Sequence, residues 1–278
     1  MCATCGCSDD AGVRVTDPSA APTHPHDHDH APGHEHGHEH GRGPEHGHDH
    51  AAERTVLLEQ KVLARNDELA ERNREWLAER DILAVNLMSS PGSGKTTLLE
   101  RTIRELGAEV ALSVVEGDQE TLFDAERIRA TGCRVIQVNT GAGCHLDADM
   151  LAAALRELDP PRRSVVFVEN VGNLVCPALF DLGEHTRVVV MSVTEGADKP
   201  LKYPHMFRTA DLVLLNKVDL LPYVDFDLAR FQDFVNQVNT RSRVVRVSAT
   251  RGDGMPGWYG WLRERAGDRP ASVAASMP

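Results

Sequence analysis

The sequence lacks an apolar run long enough to cross a membrane, and it lacks an excess of basic charge. No stretch of about 18 apolar residues occurs in the 278 residues, so we expect no membrane-spanning helix. Lys and Arg number 30 against 42 Asp and Glu, which gives a net charge of −12. General binding of DNA or RNA requires a basic surface that neutralises the phosphates, so we do not expect nucleic acid as a partner of this acidic chain.

The first ten residues also lack the basic region and apolar stretch of a secretory signal. We therefore expect a cytoplasmic protein whose six cysteines stay reduced. Cysteines that stay reduced are expected to be metal ligands, buried thiols or redox sites rather than parts of disulfides.

Residues 1–50 differ in composition from the rest of the chain. They carry nine acidic residues against two arginines, and residues 24–50 consist almost wholly of His, acids, Gly and Pro. Such a segment has nothing to bury, so we predict that residues 1–52 form a disordered, Cys- and His-rich metal-binding tail. Apolar residues then recur at helical spacing, which predicts an amphipathic helix over 53–80. Residues 268–278 are expected to form a flexible C-terminal tail.

Between these segments, strand-like and helical patterns alternate. Strands are predicted at 82–88, 110–115, 134–138, 165–168, 188–193, 212–215 and 244–247, with helices at 96–106, 124–130, 147–158, 226–238 and 258–265. Repeated β-α order with nearly continuous apolar strands predicts an α/β domain over 81–267, a mainly parallel sheet covered by helices on both faces. Ligands of such sheets bind beyond the carboxyl ends of the strands.

A phosphate-binding loop follows the first of these strands, where residues 89–97 read SSPGSGKTT. The glycines let backbone N–H groups turn toward an anion, and the next helix adds its positive N-terminus. Lys95 is expected to reach the β- and γ-phosphates and the Thr96 hydroxyl to bind Mg²⁺. The residues assigned to the phosphates are Gly92, Ser93, Gly94, Lys95, Thr96 and Thr97. Ser89 stands where this loop usually begins with glycine.

A guanine-recognition motif, NKVD at 216–219, follows a later strand. The Asp219 carboxylate can accept two hydrogen bonds from guanine, and adenine offers no such pair of donors. Asn216 and Lys217 belong to the same motif, and the backbone of Ser248 and Ala249 is expected to contact the base carbonyl. An ordinary strand-ending turn is the alternative.

Acidic residues follow two further strands. Glu169 is expected to hold Mg²⁺ through water, with the Gly172 N–H sensing the γ-phosphate. Asp118 is expected to bind Mg²⁺ and to position the attacking water. The catalytic candidates are thus Lys95, Asp118, Glu169 and Gly172. For Glu169 the alternative is a solvated acid at a strand end, and for Asp118 it is an ordinary acid in a turn. Because no arginine finger is evident, we expect slow GTP hydrolysis, well below about one turnover per second.

Soft metal ligands occur after two strands of the domain. Cys144 and His145 lie in the loop after the third strand, and Cys176 lies just past the Glu169 segment. Both loops leave the nucleotide edge of the sheet, so these ligands are expected to meet and to suit Ni²⁺ or Zn²⁺. Two isolated core thiols are the alternative.

The tail offers two further sets of metal ligands. Cys2, Cys5 and Cys7 can enclose a thiophilic ion, with a redox pair as the alternative. Imidazoles mixed with carboxylates are expected to bind divalent ions weakly and reversibly, and a solvated linker is the alternative. These imidazoles are His24, His26, His28, His30, His34, His36, His38, His40, His46, His48 and His50.

Together these segments resemble the hydrogenase nickel-incorporation GTPases of the HypB family. The resemblance covers about residues 84–261 and includes SSPGSGKTTLLE, EGDQET, QVNTGAGCHLD, FVENVGNLVCPA, SVTEGADKPLKYPHMF and LLNKVDLLPY. It implies a P-loop NTPase fold that binds GTP and Mg²⁺, with a tight nickel site at Cys2, Cys5 and Cys7. It also implies a weaker site at Cys144, His145 and Cys176, at a GTP-dependent homodimer interface. The implied partners are the maturation chaperone HypA and the hydrogenase large subunit.

The resulting prediction is a GTP-hydrolysing metallochaperone that inserts Ni²⁺ into the large subunit of a nickel–iron hydrogenase, with nickel storage by the tail. Zn²⁺ suits the same ligands. The alternatives are a nickel storage protein with a secondary GTPase, and a urease-type accessory GTPase. A small-molecule kinase is disfavoured because residues 216–219 select guanine.

Overall fold

Eight strands form one sheet in the computed structural model, which describes residues 14–16, 48–119, 121–141 and 143–267. The strands are β1 Arg14–Thr16, β2 Leu83–Met88, β3 Leu112–Asp118, β4 Arg134–Asn139, β5 Val165–Glu169, β6 Thr186–Ser192, β7 Leu212–Asn216 and β8 Arg243–Arg246. Their order in the sheet is β1-β4-β3-β5-β2-β6-β7-β8. β1 pairs antiparallel with β4, and the other seven strands run parallel.

Helices lie in all but one of the connections between successive parallel strands, as is usual for such crossovers. The helices are α1 His48–Glu79, α2 Lys95–Leu106, α3 Phe123–Arg129, α4 Ala148–Leu158, α5 Lys199–Lys202, α6 Pro204–Arg208, α7 Leu228–Val238 and α8 Met255–Gly267. Two 3₁₀ turns, Cys176–Ala178 and Val218–Tyr223, follow β5 and β7.

The sheet is buried on both faces, and β2 shows this residue by residue. Val85 and Leu87 join a core cluster with residues of α2 and α8 on one face. Ala84 joins a second cluster with α1 and α4 on the other face, and Met88 joins a third with α6 and α7. All six residues of β2 are buried, which explains why its apolar residues do not alternate with exposed polar ones.

The predicted α/β architecture is therefore confirmed, and the seven predicted strands occur within a few residues of their expected bounds. Two elements extend into the segment predicted to be a disordered tail. Arg14–Thr16 forms the edge strand, and α1 begins at His48, five residues before the expected helix start. The remainder of the tail and residues 268–278 lie outside the described residues.

The helix α1 presents a mixed face to the domain. Its buried positions include Asn66, Ala70, Asn73 and Leu77, which recur every three to four residues along one side. By contrast, Val62 is half exposed although it is apolar. The face that packs on the domain is thus partly made of amides rather than of the apolar residues that predicted the helix. Among the residues described, no helix is long and apolar enough to cross a membrane.

Candidate nucleotide and metal site

The loop between β2 and α2 has the backbone of a phosphate cradle. Gly92 and Gly94 adopt φ values of +74° and +98°, which side chains disfavour. A Cβ on Gly94 would also lie 2.6 Å from the Asn216 Nδ2 atom. The loop can therefore fold tightly against the NKVD segment only with glycine at position 94.

Lys95 lies buried inside this loop. Its Nζ donates a hydrogen bond to the Ser89 hydroxyl at 2.6 Å, so the serine that replaces the usual first glycine orients the lysine. Burial lowers the pKa of Lys95, and the nearby Glu169 and Asp124 carboxylates oppose that effect. A phosphate is the anion that a buried ammonium in such a loop would stabilise.

Two carboxyl groups lie buried beside the lysine, although only one was predicted. The Thr96 hydroxyl donates to Glu169 Oε1 at 2.7 Å. Glu116 is the register partner of Glu169 on the neighbouring parallel strand. Burial raises the pKa of Glu169 to about 7. Burial, together with the charge of Glu169, raises the pKa of Glu116 to about 9.

Asp118 ends β3 and borders the same cavity, but its carboxylate is held by its own loop. The oxygens accept hydrogen bonds from the Gln119 N–H at 2.7 Å and from the Thr121 N–H and hydroxyl at 3.1 and 2.6 Å. The Asp118 carboxylate thereby fixes the start of the segment that leads to α3.

The cavity above these groups encloses about 510 Å³. It is lined by the phosphate loop, by Glu116, Asp118 and Glu169, and by Gly172 and Lys217. Arg127 of α3 also lines it, held by Glu100 at 2.6 Å and by the Thr97 hydroxyl at 3.0 Å. No sequence pattern indicated Arg127, which is one of several arginines in helices. Glu116 had a signal, because it lies two residues before Asp118 on the same strand.

Gly172 lies directly against the phosphate loop. A Cβ at this position would be 2.9 Å from Cα and 3.0 Å from N of Pro91. Both are backbone atoms that cannot rotate away. The segment after β5 therefore contacts the phosphate loop through a position that only glycine fits.

The NKVD segment connects the phosphate loop to the loop after β8. Asn216 donates to the Ser93 carbonyl at 2.9 Å and accepts from the Ala249 N–H at 3.0 Å. Lys217 donates to the Gly92 carbonyl at 2.7 Å. Asp219 accepts a hydrogen bond from the Ser248 hydroxyl at 2.6 Å, which leaves its second oxygen toward the Arg251 guanidinium at 4.0 Å.

The three ligands predicted from two separate loops come together within one chain. One ligand atom from each of Cys144, His145 and Cys176 lies within 4.8 Å of the other two. All three side chains are half-buried, and the Cys144 Sγ lies 3.6 Å from the His145 Nδ1. Thiolates and an imidazole at this spacing can hold a tetrahedral or square-planar ion such as Zn²⁺ or Ni²⁺.

His145 is oriented by its surroundings. Its ring stacks on Phe180 with centroids 3.9 Å apart. Burial lowers the pKa of His145 against the opposing charge of Asp147, so the neutral ring that a metal requires is favoured. Phe180 lies in the same loop as Cys176 and thereby packs the two ligand loops against each other.

A turn connects the Cys144 loop to the nucleotide cavity. Thr140 accepts a hydrogen bond from the Gly143 N–H at 2.8 Å and donates its own N–H to the Asp118 carbonyl at 2.9 Å. Gln119 also donates to the Gly143 carbonyl at 3.3 Å. Movement of the segment after β3 would therefore reach the residue next to Cys144.

The remaining predicted ligands fall elsewhere. Cys2, Cys5, Cys7 and His24 to His46 lie outside the described residues, whereas His48 and His50 form part of α1. Cys133 is buried, and burial raises its pKa to about 12. Its burial fits a structural role rather than a metal-binding one.

The sequence matches a family model described as the CobW/HypB/UreG nucleotide-binding domain over residues 83–246. It is 56% identical over 209 residues to the hydrogenase maturation factor HypB of Escherichia coli strain K12, covering 75% of this chain and 72% of that protein. It is 53% identical over 216 residues to that of Azotobacter vinelandii, covering 78% and 71%.

Two solved structures have a similar fold, each with a TM-score of 0.69. One is the crystal structure of the hydrogenase maturation factor HypB from Archaeoglobus fulgidus, which is 42% identical and covers 73% of this chain and 100% of that chain. The other is HypB from Helicobacter pylori in complex with nickel, which is 33% identical and covers 76% and 99%.

Proposed function

Because the chain belongs to the CobW/HypB/UreG nucleotide-binding family, and within it to the hydrogenase maturation factors named HypB, we propose that it hydrolyses GTP to deliver Ni²⁺. The recipient would be the large subunit of a nickel–iron hydrogenase. One observation carries this proposal: the Cys144, His145 and Cys176 ligand atoms meet within 4.8 Å on loops that leave the nucleotide edge of the sheet.

The choice of guanine rests on Asp219. Its carboxylate is oriented by the Ser248 hydroxyl, at the end of a strand that also anchors the phosphate loop through Asn216. A base that cannot donate two hydrogen bonds to this carboxylate would leave it unpaired. That base would bind more weakly, and the difference in binding free energy is the selectivity for guanine.

The residues around the phosphate loop fit a bound Mg²⁺. The Glu116 Oε2 and Glu169 Oε2 atoms are buried without a hydrogen-bond partner among the described residues, and hard oxygens are what Mg²⁺ prefers. Thr96, Glu169 and Asp118 would hold the ion, with Glu116 beside them. When bound, Mg²⁺ would neutralise charge on the phosphates.

Catalysis by this chain would be mainly positioning and charge stabilisation. Lys95 and the backbone N–H groups of the loop would bind the β- and γ-phosphates, and Asp118 would orient the attacking water. Arg127 lines the cavity but is held by Glu100, which agrees with slow hydrolysis unless the guanidinium is released.

Nickel is the cargo of the proposed reaction rather than a resident cofactor. GTP would hold Asp118 and Gly172 at the phosphates, and the contacts through Thr140 and Gly143 would transmit that state to Cys144. Hydrolysis would then loosen the ligands for transfer. We further propose that GTP favours a homodimer, that HypA takes part in the transfer, and that the reaction occurs in the cytoplasm, where thiols stay reduced.

The test is a Ni²⁺ titration of the full chain carrying Cys2→Ser, Cys5→Ser and Cys7→Ser. Because these changes remove the cysteine ligands of the tail, any remaining thiolate-to-metal absorption band would come from Cys144 and Cys176. We expect affinities that differ about tenfold between a non-hydrolysable GTP analogue and GDP, equivalent to about 1.4 kcal/mol. Cys144→Ser should abolish the absorption band, and Cys133→Ser should leave it unchanged. Equal affinity and equal dimer fraction with both nucleotides would refute the coupling.

Nickel storage is the second candidate function, favoured by the eleven histidines of the tail. Deletion of residues 24–50 and Lys95→Ala separate the two candidates in a strain that depends on this protein. If delivery is the function, hydrogenase activity at low nickel survives the deletion and is lost with Lys95→Ala. The reverse pattern would identify a storage protein.

A further inference from the structure

We propose that Asn66 and Asn73 of α1 are positioning residues for the metal ligands, and that α1 acts as a brace between the two ligand loops. This inference rests on the proposed metal site at Cys144, His145 and Cys176. The hydrogen bonds of both asparagines go to backbone atoms rather than to a ligand side chain. Both bond to backbone groups that lie just beyond the ligands in sequence.

Asn66 joins the two loops through both ends of its amide. Its Oδ1 accepts a hydrogen bond from the Ala148 N–H at 3.0 Å, three residues after His145. Its Nδ2 donates to the Asp181 carbonyl at 2.7 Å, five residues after Cys176. A single side chain thus fixes the separation of two segments that the sheet does not pair.

Asn73 repeats the arrangement two turns further along α1. Its Nδ2 donates to the Ala148 carbonyl at 2.7 Å and to the Leu182 carbonyl at 2.9 Å. Asn66 and Asn73 are only 6% and 5% exposed, so these bonds are shielded from water. A buried side-chain amide that is hydrogen-bonded to two backbone segments restrains their relative positions.

The packing around the amides requires the same close approach. Gly183 adopts φ +84°, and a Cβ there would lie 2.8 Å from the Asn73 Cβ and would also meet the Ala70 carbonyl. Leu77 of α1 shares one core cluster with Leu146 and Leu182, one from each ligand loop. The helix therefore meets both loops at Asn66, Asn73 and Leu77.

The physical consequence concerns metal affinity. A three-ligand site assembled from two loops binds well only if the loops are held at the ligand spacing before the ion arrives. Groups that orient ligands without touching the metal typically change its affinity by about 10- to 100-fold when removed. We therefore expect Asn66→Ala and Asn73→Ala to act mainly on the metal.

The test uses the full chain carrying Cys2→Ser, Cys5→Ser and Cys7→Ser, titrated with Ni²⁺ alone and read by thiolate-to-metal absorption. Asn66→Ala and Asn73→Ala should each weaken binding about tenfold or more. Affinity for GTP should change less than twofold, because both amides bond to Ala148, Asp181 and Leu182 rather than to the phosphate loop. Arg72→Ala, an exposed change on the same helix, is the matched control and should bind as the parent does.

A second variant reverses the polarity of one of these hydrogen bonds. Asn66→Asp keeps the acceptor for the Ala148 N–H but turns a carboxylate oxygen toward the Asp181 carbonyl, so its nickel affinity should fall at least as far as that of Asn66→Ala while its GTP affinity is retained. If the Asn66 and Asn73 variants all bind nickel as tightly as the parent does, the proposed brace is overturned. Parallel losses of nickel and GTP affinity would overturn it as well. If the parent itself gives no more absorption than its Cys144→Ser derivative, the proposed metal site fails, and the brace fails with it.

Discussion

The side-chain oxygen of Asn170 accepts a hydrogen bond from the backbone N–H of Leu146 at 3.2 Å. Asn170 directly follows Glu169 at the end of β5, and Leu146 directly follows His145. The same Oδ1 accepts from the Val171 N–H at 3.0 Å, so the amide is fixed in place. One buried side chain therefore connects the strand end at the nucleotide to the loop that carries two metal ligands.

Removal of this link should reduce the coupling between nucleotide and metal. In Asn170→Ala the Leu146 N–H loses its partner, and the loop can relax independently of β5. We expect the difference in Ni²⁺ affinity between the GTP-analogue and GDP states to fall at least threefold. Parallel titrations in the two nucleotide states measure it. Retention of the parent difference would show that the coupling does not run through Asn170.

Gly172→Ala should damage the phosphate loop. The new methyl group would lie 2.9 Å from the Pro91 Cα, and overpacking of this kind costs about 1–3 kcal/mol. Because the strain falls on the loop, the affinity for a fluorescent GTP analogue should drop about tenfold or more. Gly260→Ala is the control, since a Cβ there meets nothing within 4 Å. Equal nucleotide affinity in both variants would contradict the close contact.

The stability of the nucleotide-free protein should depend on pH through Glu116. Its pKa is about 9 when folded and ordinary when unfolded. The folded state therefore holds a proton that the unfolded state has lost, and stability falls as the pH rises between those values. One such group costs about 1.4 kcal/mol per pH unit.

Urea unfolding without Mg²⁺ at pH 7 and pH 8 measures this dependence. Glu116→Gln cannot ionise, so its loss of stability between the two pH values should be smaller than that of the parent by about 1 kcal/mol. Glu109→Gln, a change at an exposed glutamate, should keep the parent slope. A Glu116→Gln protein with the parent slope would show that Glu116 is ionised in the folded state.

Asp219→Ala should remove the preference for guanine. The variant keeps the loop contacts of Asn216 and Lys217 but offers no carboxylate to the base. We expect the ratio of GTP to ATP affinity to fall by about 100-fold or more. Competition against a labelled GTP analogue gives that ratio. Asp225→Ala removes an exposed carboxylate six residues further along the chain and should retain the parent ratio of GTP to ATP affinity. A similar fall of that ratio in Asp225→Ala would mean that the loss of negative charge, and not the loss of a specific contact with guanine, changes the selectivity.

The sequence by itself determined the fold and the separate parts of the site. Alternation of apolar strands with helices predicted the parallel sheet, because buried strands and crossover helices impose that order. The phosphate loop and the NKVD segment were predictable because each is a local motif whose chemistry depends on adjacent residues. The pairing of Cys144 with Cys176 could be anticipated because both loops leave the same edge of the sheet.

Only the tertiary structure decided how these parts contact one another. Glu116 faces Glu169 because β3 and β5 are neighbours in register, which residue spacing does not reveal. Arg127 reaches the cavity because α3 packs beside α2. Asn66 and Asn73 join the two ligand loops because α1 lies across both of them. Contacts between residues far apart in the chain depend on strand order and helix packing, and no local pattern encodes either.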